Sequence, residues 1–233
     1  MRRRDAIKRR NRRIVILGVS VAIAIAGTGG AYIIKREMDI KARCEESRKL
    51  TSVAEVHAGS TPAVVLGDSY TQGILLDDLK DGWAYKLAES EGWDAKIDGV
   101  GSTGYVNGGP CGDGSFGARI SAGAVSSDPE VLVLQGGLND YREDLTQVES
   151  RADSAVSHAK PIKRIVLIGP PKAPARDNLD KIDAVLAKVA KFEQVEYVSA
   201  LGWDDLEFLP DGVHLTEAGH VRFAAHVADA LSR

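Results

Sequence analysis

Short apolar runs alternate with longer segments of helical spacing along most of the chain, and this alternation limits the fold more than any other feature of the sequence. Runs such as Val64-Val65-Leu66 and Val131–Leu134 contain no polar residue, which is typical of strands buried on both faces. Strands are predicted at 62–67, 94–98, 130–135, 163–169 and 194–199, and helices at 82–91, 142–160, 176–192 and 216–232. Such alternation favours an α/β fold with one parallel sheet covered by helices on both sides.

A serine follows the first predicted strand, in the sequence Gly67-Asp68-Ser69-Tyr70. Open α/β sheets bind their ligands at the carboxyl ends of the strands, where this serine would lie. The turn is not the nucleophile elbow of α/β-hydrolases, because Thr71 occupies the position where that motif has glycine. Glycine, aspartate and serine are also common turn residues, so this motif alone leaves an ordinary turn as an alternative.

A candidate base lies near the C-terminus, in Asp211-Gly212-Val213-His214. A serine hydroxyl is a poor nucleophile until a base takes its proton. Histidine can be that base when a carboxylate fixes its tautomer and stabilises its positive charge. The chain therefore contains the three groups of a catalytic triad in the order Ser69, Asp211, His214.

Two glycine-containing segments complete a pattern of four blocks. Val100–Tyr105 (VGSTGY) follows the second predicted strand, and Gln135–Asp140 (QGGLND) follows the third. Together with Ser69 of GDSY and His214 of DGVHLT, these segments resemble, in the same order, the four blocks of the SGNH hydrolases, also called GDSL-type esterases and lipases. The resemblance covers about residues 60–230.

The resemblance implies a role for each block. Ser69 would be the nucleophile, His214 the general base and Asp211 the carboxylate that orients the imidazole. The oxyanion hole would consist of the backbone N–H of Ser69, the backbone N–H of Gly101 and the side-chain amide of Asn139. These donors would stabilise the negative oxygen of a tetrahedral intermediate.

The second block departs from the family pattern, because Asp98 stands near the position of an asparagine that precedes the family's glycine. Ser102 and Gly104 therefore remain alternatives to Gly101 as the oxyanion donor. For the fold, the resemblance implies a flavodoxin-like three-layer α/β/α sandwich with a five-stranded parallel sheet.

The N-terminal segment predicts one transmembrane helix. Residues 1–13 carry eight basic side chains and one acidic side chain, and the following residues, 14–34, carry no charge. As a helix, these 21 uncharged residues would span about 31 Å, close to the roughly 30 Å of a bilayer core. The positive-inside rule would keep the basic end in the cytoplasm. Ala24-Ile25-Ala26 also fits a cleavage site, so a removed signal peptide is the alternative.

These features predict four segments: a basic cytoplasmic tail (1–13), a transmembrane signal-anchor or signal peptide (14–34), a stalk (35–58) and an SGNH hydrolase domain (59–233). Residues 50–233 contain 16 basic and 28 acidic side chains, a net charge of −12, which argues against a nucleic-acid partner. Outside the cytoplasm, Cys44 and Cys111 could form a disulfide.

The remaining histidines do not indicate a metal site. No spacing typical of zinc ligands occurs, and neither a metal nor a cofactor is expected. His220 and His226 follow the candidate base at helical spacing, and both are predicted to lie on the surface of the last helix.

Taken together, the sequence predicts a membrane-anchored serine esterase with its catalytic domain outside the cytoplasm, or a secreted one if the first segment is cleaved. The expected substrate is an O-acyl ester, short-chain or acetyl, of a small molecule or carbohydrate. Two alternatives remain: an acyltransferase that uses the same acyl-enzyme, and a degenerate SGNH-type domain that only binds its ligand.

Overall fold

A computed structural model of the protein describes residues 32–49 and 53–233. Residues 32–49 form helix α1, whose side chains are mostly exposed. The predicted transmembrane segment 14–34 lies outside the described residues except at 32–34. None of the helices in the described ranges combines the length and the apolar character needed to cross a bilayer. The chain's two cysteines, Cys44 and Cys111, are both disulfide-bonded.

The centre of the fold is one six-stranded sheet with the order β1-β3-β2-β4-β5-β6. Its strands are β1 (Ala54–His57), β2 (Thr61–Gly67), β3 (Trp93–Gly99), β4 (Val131–Gln135), β5 (Arg164–Ile168) and β6 (Glu196–Val198). Strands β2 to β6 are parallel, as the sequence predicts. The prediction of five strands is wrong, because β1 adds an antiparallel edge strand beside β3.

Strand β1 was not predicted from the sequence, and the reason is physical. It has only four residues, which alternate between half-buried and exposed, and it lies in the range interpreted as a stalk. An edge strand of this kind needs few apolar residues because its outer side faces solvent. Its pairing with β3 therefore leaves almost no pattern in the sequence.

Helices cover both faces of the sheet and confirm the three-layer sandwich. The helices after α1 are α2 (Ser69–Gln72), α3 (Trp83–Ser90), α4 (Phe116–Ser121), α5 (Leu145–Ala159), α6 (Leu179–Glu193) and α7 (Glu217–Leu231). Side chains of α3 and α7 form one core against the sheet, and those of α4, α5 and α6 form the other. Val65 of β2 packs in the first core, whereas Val64 and Leu66 pack in the second. Burial on both faces explains the continuous apolar runs.

The strand order brings three of the four sequence blocks to one edge of the sheet. Strand β2 lies between β3 and β4, and Gly67 at its carboxyl end is in register with Gly99 of β3 and Gln135 of β4. The loops that follow these three strands therefore start side by side. Doubly wound sheets bind their ligands at such a point, where the order of the strands reverses.

Candidate active site

Ser69 is held in a tightly packed turn at the end of β2. It is the first residue of α2 and is only 5% exposed. The carboxylate of Asp68 accepts the backbone N–H of Tyr70 at 2.9 Å, which caps this short helix. The hydroxyl of Thr71 donates to the side-chain oxygen of Gln135 at 2.8 Å. The turn is thus fixed to the end of β4, where the third sequence block begins.

The second block approaches the same turn closely. A Cβ placed on Gly99 would lie 2.1 Å from the backbone nitrogen of Gln72, so only glycine allows β3 to end against α2. Two residues further on, a Cβ on Gly101 would lie 3.9 Å from Cβ of Ser69. The structure therefore places Gly101 close to Ser69.

Asp211 and His214 form a preorganised pair. Oδ2 of Asp211 lies 2.6 Å from Nδ1 of His214, and Oδ1 accepts the backbone N–H groups of Val213 (2.9 Å) and His214 (3.0 Å). Because a carboxylate only accepts hydrogen bonds, Nδ1 carries the proton and the lone pair of Nε2 remains available as a base. The bond to His214 is the main reason that the pKa of Asp211 falls to about 2.

Tyr70 links this pair to the serine turn. Its hydroxyl donates to the backbone carbonyl of Val213, which directly precedes His214. Within the described residues, the His214 ring is hydrogen-bonded to Asp211 and not to the Ser69 hydroxyl. Nucleophile–base contacts are often long in the absence of substrate and shorten when substrate binds.

The candidate oxyanion donors differ in availability. The backbone N–H of Gly104 donates to the carbonyl of Asn107 at 2.9 Å and is already in use. Nδ2 of Asn139 donates to the carbonyl of Thr103 at 2.9 Å. An amide nitrogen carries two hydrogens, so this bond orients the Asn139 side chain and leaves one N–H for a ligand.

Asp140 has a structural role in the second block. Its carboxylate accepts the backbone N–H groups of Tyr105 (2.8 Å), Val106 (3.1 Å) and Asn107 (2.9 Å). A Cβ on Gly104 would lie 2.3 Å from this carboxylate, so the loop can wrap around it only with glycine there. Burial raises the pKa of Asp140, and the three N–H donors oppose that shift. The third block thereby shapes the loop that contains Gly101.

Arg119 of α4 is a residue of the site region that the sequence did not reveal. Its guanidinium donates to the carbonyls of Gly114 (3.1 Å), Asp98 (2.9 Å) and Gly67 (2.7 Å), to Oδ1 of Asp98 (2.9 Å) and to the hydroxyl of Thr103 (3.4 Å). These bonds engage every N–H that a guanidinium offers. Burial lowers the pKa of Arg119, and its ion pair with Asp98 opposes that shift. Arg119 thus joins the ends of β2 and β3.

Asp98, which stands near the position of an asparagine in the family pattern, was an indirect sign of the contact between Asp98 and Arg119. An aspartate that is 8% exposed requires a partner, and Arg119 is that partner. The sequence could not identify which cation it would be, because Arg119 lies in a short helix that follows a glycine-rich loop.

Two buried titratable side chains, those of Asp68 and His220, lie at the serine turn. Asp68 belongs to the turn, and the ring of His220 lies 6.2 Å from the ring of Tyr70. Burial raises the pKa of Asp68 to about 7. His220 is 1% exposed, so its predicted position on the helix surface is wrong. It faces the core, where Nδ1 accepts the backbone N–H of Trp83 at 3.3 Å. Burial lowers the pKa of His220 to about 4, with a smaller contribution from the charge of His214.

In residues 32–49 and 53–233, no three or more side chains of histidine, cysteine, aspartate or glutamate are grouped so that they could hold a metal ion. The arrangement instead places a serine, a histidine–aspartate pair and several amide donors at the carboxyl edge of the sheet. This set of groups can carry out acyl transfer through a serine nucleophile.

Comparisons with known proteins point to the same chemistry. The profile of the GDSL-like lipase/acylhydrolase family matches residues 65–222. No curated protein sequence matches the chain. Among solved structures, the acetylxylan esterase Axe2 from Geobacillus stearothermophilus is 19% identical, with a TM-score of 0.60 over 76% of this chain and 97% of that one. A member of the lipolytic G-D-S-L family from Veillonella parvula is 20% identical, with a TM-score of 0.60 over 75% and 100% of the two chains.

Catalytic mutants of Axe2 are also among the similar structures. They replace a serine, an aspartate or a histidine, and the last two positions are three residues apart in that enzyme.

Proposed function

Because this chain belongs to the GDSL-like lipase/acylhydrolase family and is an SGNH serine hydrolase, we propose that Ser69, His214 and Asp211 are the catalytic triad of an esterase. The observation that carries this proposal is the 2.6 Å bond between Asp211 and Nδ1 of His214. It leaves Nε2 as the only basic nitrogen of the ring, in a loop tied to the serine turn through Tyr70.

The reaction proceeds in two steps. In the first, Oγ of Ser69 attacks the ester carbonyl carbon while its proton moves to Nε2 of His214, and the leaving alcohol then takes that proton as the C–O bond breaks. In the second, water attacks the acyl-enzyme and gives its proton to His214. That proton returns to Oγ of Ser69 when the carboxylic acid leaves. Asp211 remains ionised throughout and stabilises the imidazolium.

We propose the backbone N–H groups of Ser69 and Gly101 and the amide of Asn139 as the oxyanion hole. The proximity of Gly101 to Ser69 supports this choice, as does the use of the Gly104 N–H in another bond. The contact of Asn139 with Thr103 supports a fixed orientation of its amide. Preorganised donors are effective because they do not need to reorient when charge develops on the oxygen.

The substrate that we propose is a short-chain O-acyl ester, such as an acetyl ester of a carbohydrate. Support comes from the fold that the chain shares with an acetylxylan esterase and from the matching three-residue spacing of Asp211 and His214.

The basic residues 1–13 and the uncharged residues 14–34 support a membrane-anchored enzyme that acts outside the cytoplasm. Membrane association that survives a high-salt wash would support a hydrophobic anchor over an electrostatic attachment.

Esterase activity is tested with a panel of acetyl, butyryl and longer acyl esters and with acetylated xylan. The Ser69→Ala variant is expected to lose turnover of every substrate and to keep its thermal midpoint, because the lost hydroxyl reacts but packs little. Ser154→Ala, in an exposed position on α5, is the matched control and should keep wild-type rates. Turnover by folded Ser69→Ala protein at rates near wild type would refute the mechanism.

A further inference from the structure

Two arginines share one tyrosine ring at the carboxyl edge of the sheet. Tyr141 follows the third block, at the end of the short 3-10 helix Leu138–Asp140. The Cζ atom of Arg142 lies 4.9 Å from the centroid of its ring, and that of Arg176 lies 4.8 Å from it. Arg176 belongs to the loop between β5 and α6, so two separate loops contribute to this arginine cluster.

The arginine cluster borders the candidate site on two sides. Tyr141 is two residues from Asn139, and its carbonyl is 3.5 Å from the amide nitrogen of Asn178. On the other side, the backbone N–H of Ala175 donates to the carbonyl of Gly212 at 2.9 Å, next to Asp211. The charge of Arg176 also reaches the serine turn, since it opposes the rise in the pKa of Tyr70 that burial causes.

The cluster lacks a negative partner. Neither guanidinium forms an ion pair with a carboxylate of the described residues, although most of the charged groups in residues 50–233 are acidic. Two like charges on one ring repel each other, and the ring compensates for this only in part. An anion bound between or beside the two groups would remove the repulsion.

The hydrogen-bonding groups of the cluster are also largely free. A guanidinium that stacks on an aromatic ring keeps its N–H groups in the plane of the fork, where they can bind a carboxylate or phosphate through two bonds. Arg176 uses one of them for the carbonyl of Ala175 at 3.2 Å. Its Nε is buried and has no hydrogen-bond partner among the described residues. The N–H groups open to a ligand are therefore those of the terminal nitrogens of the two arginines.

We propose that Tyr141, Arg142 and Arg176 form a subsite for an anionic group of the substrate, so that the preferred esters are those of acidic molecules. The shared chemistry is a carboxylate or phosphate located near the ester that is cleaved. This inference rests on the proposed esterase function and narrows its substrate class, for example to acylated acidic sugars rather than neutral ones.

The test compares two acetyl esters that differ only in charge, 4-acetoxybenzoate and its neutral methyl ester. The ratio of kcat/KM for the anionic and the neutral ester is measured for the wild type, Arg142→Gln, Arg176→Gln and the double variant. We expect the double variant to lower this ratio by about tenfold, the loss of one charge-assisted contact, because only the anionic ester uses that contact. Raising the salt concentration should lower the wild-type ratio as well.

Arg151→Gln is the matched control, since Arg151 is an exposed arginine on α5. It removes the same charge away from the arginine cluster and should leave the ratio unchanged. A ratio that is equal in the wild type and the double variant would overturn the subsite, while turnover of the neutral ester would still support the esterase.

A binding measurement tests the anion subsite separately from the esterase function if no turnover is observed. The Ser69→Ala protein can be titrated with 4-acetoxybenzoate by calorimetry, with and without the two arginine substitutions. Weaker binding by about tenfold in the substituted protein would support the subsite independently of catalysis. Equal binding would contradict it. Absence of turnover of both esters by the wild type would contradict the proposed function and not the subsite.

Discussion

At the scale of single residues, Asn139 combines two contributions. Its amide nitrogen donates to the carbonyl of Thr103, which fixes the second block, and in the proposed mechanism its other N–H binds the oxyanion. The second contribution is stronger in the transition state than in the ground state, because charge on the oxygen develops only there.

We therefore expect Asn139→Ala to lower kcat by about 10²–10³, with a smaller change in KM. Measuring kcat and the thermal midpoint on the same preparation separates the two contributions. A lower midpoint with unchanged kcat would limit Asn139 to a structural role.

The lowered pKa of buried His220 predicts that the free energy of unfolding depends on pH. Its pKa of about 4 in the folded protein lies below the ordinary value of 6.5, so the unfolded chain binds more protons between these two values. The free energy of unfolding should therefore rise with pH across this window, and protonation of His220 should destabilise the fold as the pH falls toward 4.

His220→Gln keeps an acceptor for the N–H of Trp83 but cannot take up a proton. Thermal midpoints measured from pH 4 to pH 7 should change less in this variant than in the wild type. The same slope in both proteins would show that His220 does not determine acid sensitivity.

Candidate residues that lie in local motifs could be proposed from the sequence, whereas contacts between distant parts of the chain could not. Asp211 and His214 are three residues apart, and the structure places them in direct contact. Arg119 contacts Gly67, which is 52 residues away in the sequence, and no local pattern reports such a pair. His220 was misplaced because a helix with one core face can bury a polar residue that has a hydrogen-bond partner there.

At the scale of secondary-structure elements, Arg119 connects the ends of β2 and β3 with the loop of the second block. Lysine keeps the charge but offers a compact ammonium in place of a planar fork, so it cannot reproduce these bonds. We expect Arg119→Lys to lower kcat by about 10-fold to 10²-fold through misplacement of Gly101, with little change in KM.

Arg164→Lys is the matched control for this element-level prediction. Arg164 also makes a bidentate contact, with Glu196 at 2.7 and 2.8 Å, but it lies at the amino end of β5, away from the site. Both variants should lower the thermal midpoint, and only Arg119→Lys should lower kcat. Equal kcat values in the two variants would contradict a positioning role for Arg119.

Helices and strands with a clear period or run of apolar residues were predicted well, and short elements were not. The five parallel strands and helices α3, α5, α6 and α7 lie close to their predicted ranges. Helix α5 begins at Leu145 rather than at 142, because Asp144 caps it by accepting two backbone N–H groups. Helices α2 and α4 and strand β1 were missed, since they are too short for a period to be recognised.

At the scale of the whole molecule, the position of the candidate site follows from the topology of the sheet. The order of the strands brings Ser69, Gly101 and Asn139 to one edge, although they are far apart in the sequence. The prediction of an α/β/α sandwich already implied this edge, because parallel strands end on the same side. The contacts that hold the blocks together, such as the bonds of Asp140 and Arg119, became visible only in the folded chain.

The measurement that tests the central claim most directly is covalent labelling of the intact protein with a phosphonate ester, followed by mass spectrometry of its peptides. A serine activated by a histidine–aspartate pair should form a single adduct, on Ser69, since in residues 32–49 and 53–233 the other serines have no such pair beside them. The same experiment on folded His214→Ala protein should show labelling that is slower by orders of magnitude. An adduct on another residue, or labelling of Ser69 at the same rate without His214, would contradict the proposed triad.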